Sequence, residues 1–302
     1  MCASKIRAQV LYGPKDLKLV VRDIDAPAKD EVQVAIKSTT LCGTDLHYFT
    51  HYANGDIRIM EPLTQGHEAT GIVVEVGPDV STLKVGDRVA IEAGVPCAAC
   101  EHCLAGRYNV CPKIKFRSSA ASIPHFQGTL QDRINHPAQW CHKLPENLSY
   151  DEGALLEPLS VAIHSVRKAN IRPKSRCLIT GAGAIGLLCS AVAKSYGCEQ
   201  VVMTDIASNR LEFARNNGFA EEVHTIIPNR GADVQEDLSI AQDLAEDLLA
   251  LGGEPVLSRG GFDAVFECTG AESCVRVGVY AARPSSSVLL VGMGTPIQTL
   301  PM

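Results

Sequence analysis

Four cysteines fall within fifteen positions of this chain: Cys97, Cys100, Cys103 and Cys111, in the pattern C-x2-C-x2-C-x7-C. Four thiolates from one loop can close a tetrahedron around Zn²⁺ and leave no open position, which makes such a site structural. An iron–sulfur cluster also takes four thiolates, but its loops carry other spacings. The expectation is a zinc that orders a loop without a core of its own. The other eight of the twelve cysteines are scattered. Cys177, Cys189 and Cys268 lie in apolar segments, where a thiol serves as a small buried hydrophobe.

Gly181-Ala182-Gly183-Ala184-Ile185-Gly186 is G-x-G-x-x-G, directly after an apolar strand-like run and opening a helical one. Gly181 makes the tight turn, Gly183 lets the backbone approach a pyrophosphate, and Gly186 lets helix and strand pack closely. The helix N-terminus then offers unpaired N–H groups to the phosphates. Asp205 ends the next strand at the separation expected of a ribose-binding acid. A carboxylate there accepts hydrogen bonds from the adenosine ribose and repels a 2′-phosphate, so the preference is NAD over NADP. Arg210 is expected to lie against the adenosine end.

Cys42, followed by Gly43, Thr44 and Asp45, and the pair His67-Glu68 supply sulfur, nitrogen and oxygen donors in the first half. Taken singly, a buried thiol, a satisfied histidine and a surface glutamate explain them. Taken jointly, they suit a zinc with three protein ligands and an open position. Thr44 either relays a proton or caps the adjacent turn.

These residues need elements to hold them. The chain has 302 residues, 46% of them hydrophobic and 21% charged, which is a globular profile long enough for two domains. A net charge of −6 without a Lys/Arg block excludes nucleic acid as an expected partner. No apolar run approaches a bilayer span. Met1–Val10 lacks an apolar signal core, so the expected location is cytoplasmic. Residues 1–150 read as short β segments with turn punctuation: Glu31–Ile36, Gly71–Val76 and Asp87–Ile91. The stretch 92–124 has little periodicity, and a loop that long is expected to be stapled. From Glu157 strands and helices alternate. Strands are expected at Arg176–Thr180, Gln200–Asp205, Glu222–Ile227, Phe262–Glu267 and Ser287–Val291. Helices are expected at Ala184–Tyr196, after an N-cap at Ser208, over Val234–Leu251, and between the last two strands. That grammar predicts an α/β half with a parallel sheet covered on both faces.

Gly66-His67-Glu68-Ala69-Thr70-Gly71, with Gly77 and Val80, resembles the zinc signature of the medium-chain alcohol and polyol dehydrogenases. Cys42–Asp45, the four-cysteine lobe, Glu157-Pro158-Leu159-Ser160, Cys268-Thr269-Gly270 and Val291-Gly292-Met293-Gly294 extend the likeness over nearly the whole chain. It implies a GroES-like catalytic domain over 1–156 and a doubly wound Rossmann domain over 157–302, with a catalytic zinc in the cleft between them. Within the family the chain is most similar to sorbitol- and xylitol-type enzymes, because Glu157 stands where alcohol dehydrogenases place a cysteine ligand. Carried over, the catalytic zinc is held by Cys42, His67 and Glu68, with Glu157 bonding its water or exchanging with it. Tyr48, Phe116 and Ser119 match pocket-lining positions, and Val291 and Met293 match cofactor-binding ones. The implied reaction is oxidation of a polyol to a ketose by hydride transfer to NAD, in a homo-oligomer. Ending at Met302, the sequence is expected to lack the family's last sheet strand and its return to the catalytic domain. Termination there keeps a second reading open, a non-catalytic zinc- and NAD-binding relative. The segment 231–261 is longer than the family pattern.

Overall fold

The computed structural model describes residues 4–301, which form two compact units, Met1–Glu157 and Pro158–Met302. The first unit is antiparallel. Its strands are β1 (Ser4–Leu11), β2 (Leu17–Ile24), β3 (Glu31–Thr40), β4 (Leu63–Thr64), β5 (Glu68–Val76), β6 (Arg88–Ile91), β7 (Arg133–Pro137) and β8 (Cys141–Lys143). These strands form two sheets, in the orders β2-β1-β4 and β7-β3-β5-β6-β8, while Ala53–Asn54 pairs with Ile57–Arg58 as a separate two-stranded piece and an isolated bridge joins Ala8 of β1 to Gln131, ahead of β7. Helix α1 (Gly43–His51) follows β3 directly.

Alternation builds the core of the larger sheet: Val32 and Val34 on β3, Ala69 and Val73 on β5, Val89 and Ile91 on β6, and Ile134 on β7 pack together. Strand β5 starts at Glu68, before the expected Gly71, because Thr40, Thr39 and Ser38 pair with Glu68, Ala69 and Thr70. Those polar and small residues carry no apolar alternation to announce a strand. Gly71 sits mid-strand because a Cβ there would meet the Ala35 carbonyl oxygen at 2.3 Å. In the long loop the ordered pieces are helical turns at Glu101–Leu104 and Tyr108–Val110 and a two-residue antiparallel pairing of Gly94–Val95 with Lys115–Phe116.

The second unit holds β9 (Arg176–Thr180), β10 (Gln200–Asp205), β11 (Glu222–Thr225), β12 (Phe262–Glu267) and β13 (Ala282–Leu290). They form one parallel sheet in the order β11-β10-β9-β12-β13. Its helices are α2 (Leu156–Ala169, which begins in the first unit), α3 (Ala184–Ser195), α4 (Ser208–Asn216), α5 (Val234–Gly252) and α6 (Glu272–Ala281). Successive strand residues take opposite faces. Cys177, Ile179, Val201, Met203, Ala264 and Phe266 pack with α2, α3 and α4. Leu178, Val202 and Val265 pack with Ala241, Ala245 and Leu248 of α5 and Val277 of α6. Both faces are therefore covered, which is the doubly wound arrangement.

Boundaries in the second unit also differ from expectation. Strand β13 starts at Ala282 rather than Ser287, through the exposed run Arg283-Pro284-Ser285 that no apolar pattern marks, and its register against β12 shifts once. Ala207, not Ser208, is the N-cap of α4, and it makes no side-chain cap. Strand β11 stops at Thr225 rather than Ile227. The long segment 231–261 is α5 plus a helical turn at Glu254–Leu257, which brings buried Val256 into the core with Phe262. Among the described residues no helix is long and apolar enough to cross a membrane.

Candidate functional site

In the four-cysteine lobe the sulfurs of Cys97, Cys100, Cys103 and Cys111 all lie within 4.8 Å of one another. Cys100 and Cys103 are 3.4 Å apart, Cys97 and Cys111 3.5 Å, and Cys97 and Cys103 4.0 Å. A zinc–sulfur bond of about 2.3 Å gives a tetrahedral edge of about 3.8 Å, so the spacing fits an ion and is far too long for a disulfide. Backbone N–H groups of Ala99 and Cys100 hold the Cys97 thiol down to about 6, toward the thiolate that ligation needs.

The second cluster joins Cys42, His67 and Glu68, one ligand atom from each, within 4.8 Å. Each donor comes from a different local device. Cys42 is the N-cap of α1, where its N–H donates to Asp45 Oδ2 at 3.0 Å. His67 sits in the turn entering β5, and Glu68 is the first residue of that strand, receiving the Thr40 hydroxyl. His67 is buried, at 4% exposure, and its Nδ1 has no hydrogen-bond partner. The residues fit a zinc ion by donor type, a thiol, an imidazole and a carboxylate whose ligand atoms converge. Burial raises the Cys42 thiol, while the N–H and hydroxyl of Thr44 bond its sulfur and oppose that rise.

Glu157 is not one of the three convergent donors. Burial, with the Glu68 and Asp45 carboxylates adding to it, pushes its carboxyl up to about 7. The pocket residues named from the sequence do come together. Thr44, Tyr48, Phe116 and Ser119 line a cavity of about 170 Å³ with His67, whose ring lies 5.3 Å from that of Phe116. Tyr48 is also 1% exposed and packs on Leu11, Ile59, Leu63 and Ala120, so it is a core residue as well as a wall.

Sequence reading passed over Asp45. Its carboxylate is 3% exposed and accepts from Cys42 N, from Gly66 N at 3.0 Å and from Ser118 Oγ at 2.9 Å, while lying 3.8 Å from His67 Nδ1. It thus ties together the turns that carry both Cys42 and His67. Its place three residues after an N-cap was the available signal. Arg117 and Ser118, also on the cavity wall, carried no local signal.

In the second unit Gly181, Gly183, Asp205 and Arg210 line a cavity of about 530 Å³ with Ile206, Thr269 and Ala271. Gly181 has φ +99°, and a Cβ on Gly186 would fall 1.9 Å from the Gly181 oxygen. A Cβ on Gly183 would meet nothing within 4 Å, so the turn is open on the side where a phosphate would lie. Asp205 accepts from Ala182 N at 2.7 Å and Ala207 N at 2.8 Å, which aims the carboxylate at the turn. Ile185, Gly186, Val291 and Met293 do not line this cavity. Val291 instead donates its N–H to the Glu267 carbonyl, and Met293 is exposed.

The model of the alcohol dehydrogenase GroES-like domain matches residues 28–146, and that of the zinc-binding dehydrogenases matches residues 184–302. Probable D-xylulose reductase A of Emericella nidulans is 40% identical over 294 residues, spanning 97% of this chain and 77% of that protein. The chain belongs to the zinc-binding dehydrogenases. Sorbitol dehydrogenase of Bos taurus is 38% identical over 295 residues, spanning 97% of this chain and 76% of its own. Among solved structures, L-idonate 5-dehydrogenase from Escherichia coli superposes with a TM-score of 0.83 at 27% identity, covering 99% of this chain and 80% of that one. A zinc-binding dehydrogenase from Sinorhizobium meliloti, solved bound to NADP, has the same TM-score at 26% identity, covering 99% and 80%.

Proposed function

We propose that this chain oxidises a secondary hydroxyl of a sorbitol- or xylitol-type polyol to the ketose, with NAD as hydride acceptor. The observation that carries the reading is the convergence of one sulfur, one nitrogen and one carboxylate donor beside the cavity of Thr44, Tyr48, Phe116 and Ser119. Cys42, His67 and Glu68 would hold the catalytic zinc, and Cys97, Cys100, Cys103 and Cys111 the structural one. Zinc, when bound, supplies a Lewis acid that lowers the pKa of a coordinated hydroxyl.

The chain's own groups do the rest. Asp45 fixes the turns of Cys42 and His67. Glu157, held up near 7, is a carboxyl that can take or return a proton around neutral pH. Thr44 bonds the Cys42 sulfur, which favours its turn-capping role over a relay role. Hydroxyls of Thr44 and Ser119 offer hydrogen bonds that a polyol can use and a simple alcohol cannot. Gly181 and Gly183 seat the pyrophosphate, Gly186 lets α3 pack close to the turn, and Asp205 takes the ribose hydroxyls, with Arg210 along the adenosine. A cytoplasmic setting and a homo-oligomer belong to the same reading. The former is supported by the eleven cysteines among the described residues, all of which are free thiols.

NAD reduction with sorbitol, xylitol, L-arabinitol and ethanol, measured beside zinc content, tests this. Polyol turnover with both zinc sites filled supports it. Ethanol as the sole substrate moves the chain to the alcohol branch, and zinc and NAD binding without turnover leaves the non-catalytic reading.

A further inference from the structure

Arg117 is 3% exposed, and no carboxylate among the described residues forms an ion pair with it. Its guanidinium is met by uncharged acceptors only. Nε and Nη2 approach His136 Nδ1 at 3.0 and 2.9 Å, Nη1 donates to Gln127 O at 2.8 Å, and Nη2 donates to Asn135 O. The plane lies 4.3 Å from the Phe126 ring. His136 is itself fully buried, and because its Nδ1 accepts from Arg117, its Nε2–H must donate to Glu92 O, 3.0 Å away. An arginine bearing its charge into the interior without a counter-charge is costly, and an apolar side chain of similar volume would serve stability as well or better.

What the guanidinium secures is one wall of the cavity beside His67. Phe116, Arg117, Ser118 and Ser119 are consecutive lining residues. Arg117 N donates to Ala93 O at 3.0 Å, and Ser118 takes a left-handed φ of +64° while its hydroxyl reaches Asp45. Lysine could not replace the planar fork that meets an imidazole and two carbonyls at once.

We propose that Arg117, acting through neutral His136, is a positioning residue for substrate length: it fixes the Phe116–Ser119 wall against which the non-reacting carbons of a polyol lie. The inference rests on the polyol reading. In Arg117→Lys and Arg117→Leu, KM for xylitol should rise about tenfold, an effect of ångström-scale misplacement. KM for 2-butanol, which lacks the further carbons and hydroxyls that would run on from Phe116 toward Ser119, should rise less than about threefold, while NAD affinity and zinc content stay within about twofold. ¹⁵N spectra should show His136 as the Nε2–H tautomer in the parent and in the variants, since Glu92 O holds that proton in both, with the Nδ1 resonance shifted in the variants as its guanidinium donor is lost. Equal shifts for both alcohols, or no shift for xylitol, overturn the proposal, as does an unaltered His136 spectrum. If the parent oxidises no polyol, the functional reading fails on its own; xylitol binding by calorimetry then decides here, and equal affinity in parent and Arg117→Lys overturns the role. If the Arg117 variants do not fold, His136→Gln breaks the same contact from the other side and must reproduce the split.

Discussion

The two metal-donor clusters of the first unit are built by opposite strategies. The lobe offers four identical donors from fifteen consecutive positions, in a loop whose own ordered structure is two short helical turns and a two-residue pairing. The other cluster takes three different donors from a helix N-cap, a turn and a strand start, and buries two of them. A loop without a core needs the ion to have a structure. A site mounted on α1 and β5 has its structure already, so an ion held there would be free to do chemistry.

His67→Ala presses that contrast hardest. It should lower kcat/KM by at least about 10³-fold, the scale of removing an electrophile. Bound zinc should fall by one ion of the two, with the melting temperature little changed. Cys100→Ser should reverse the pattern, giving a clear drop in melting temperature and protease cleavage within 92–124, with turnover per zinc at His67 largely kept. If the two variants lose activity and stability in parallel, the division between the clusters is wrong. Titration with dipicolinate should separate them more gently. The three-donor site should release its ion first, so activity falls before thermal stability does, and added zinc restores it.

The same contrast decides what could be read from the sequence. The lobe was legible because every ligand lies in one local pattern. The glycine turn was legible because its strand, helix and Asp205 stand at fixed separations. The parallel sheet was legible because Cys177, Leu178 and Ile179 feed two faces of an uninterrupted apolar run. Cys42, His67 and Glu68 were offered by donor type and named as a ligand set only through the resemblance, since the pairing of Thr40 with Glu68 that brings them together is a tertiary fact. Asp45 and Arg117 were not singled out, because a buried charged residue looks like an exposed one until its partners are known. Strand β13 was half seen, since Arg283-Pro284-Ser285 is a solvent-facing edge with no alternation to read.

Two buried histidines carry the comparison into pH. His67 has an unpartnered Nδ1, whereas both ring nitrogens of His136 are taken, by Arg117 and Glu92 O. Desolvation, reinforced by the charges of Arg117 and His142, holds His136 well below the usual imidazole value, with the bond to Glu92 O opposing. A histidine kept neutral in the fold contributes stability that is full above about 6.5 and lost as pH falls toward its folded value, because the unfolded chain binds the proton first. Urea melts from pH 7 to 4.5 should show that acid loss in the parent and a flatter profile in His136→Gln. An equally steep profile in the variant would mean that other groups govern the acid limb.

Two aspartates make the smallest and sharpest contrast. Asp45 and Asp132 each accept a backbone N–H and bond a side-chain donor, yet Asp45 is buried beside His67 and Asp132 is on the surface. Asp132 takes Arg7 Nε at 3.2 Å, Nη2 at 3.1 Å and N at 2.8 Å, and those bonds hold its carboxyl below the usual range. A carboxyl depressed in the fold contributes stability above the unfolded value that disappears as pH falls through the folded one. Solvent screens this exposed pair, so the effect is small. Asp132→Asn should leave kcat/KM unchanged and lower the melting temperature slightly at pH 7, with parent and variant converging near pH 3 and in high salt. A gap that persists in acid would assign the loss to the geometry of the β1 to β7 junction rather than to charge.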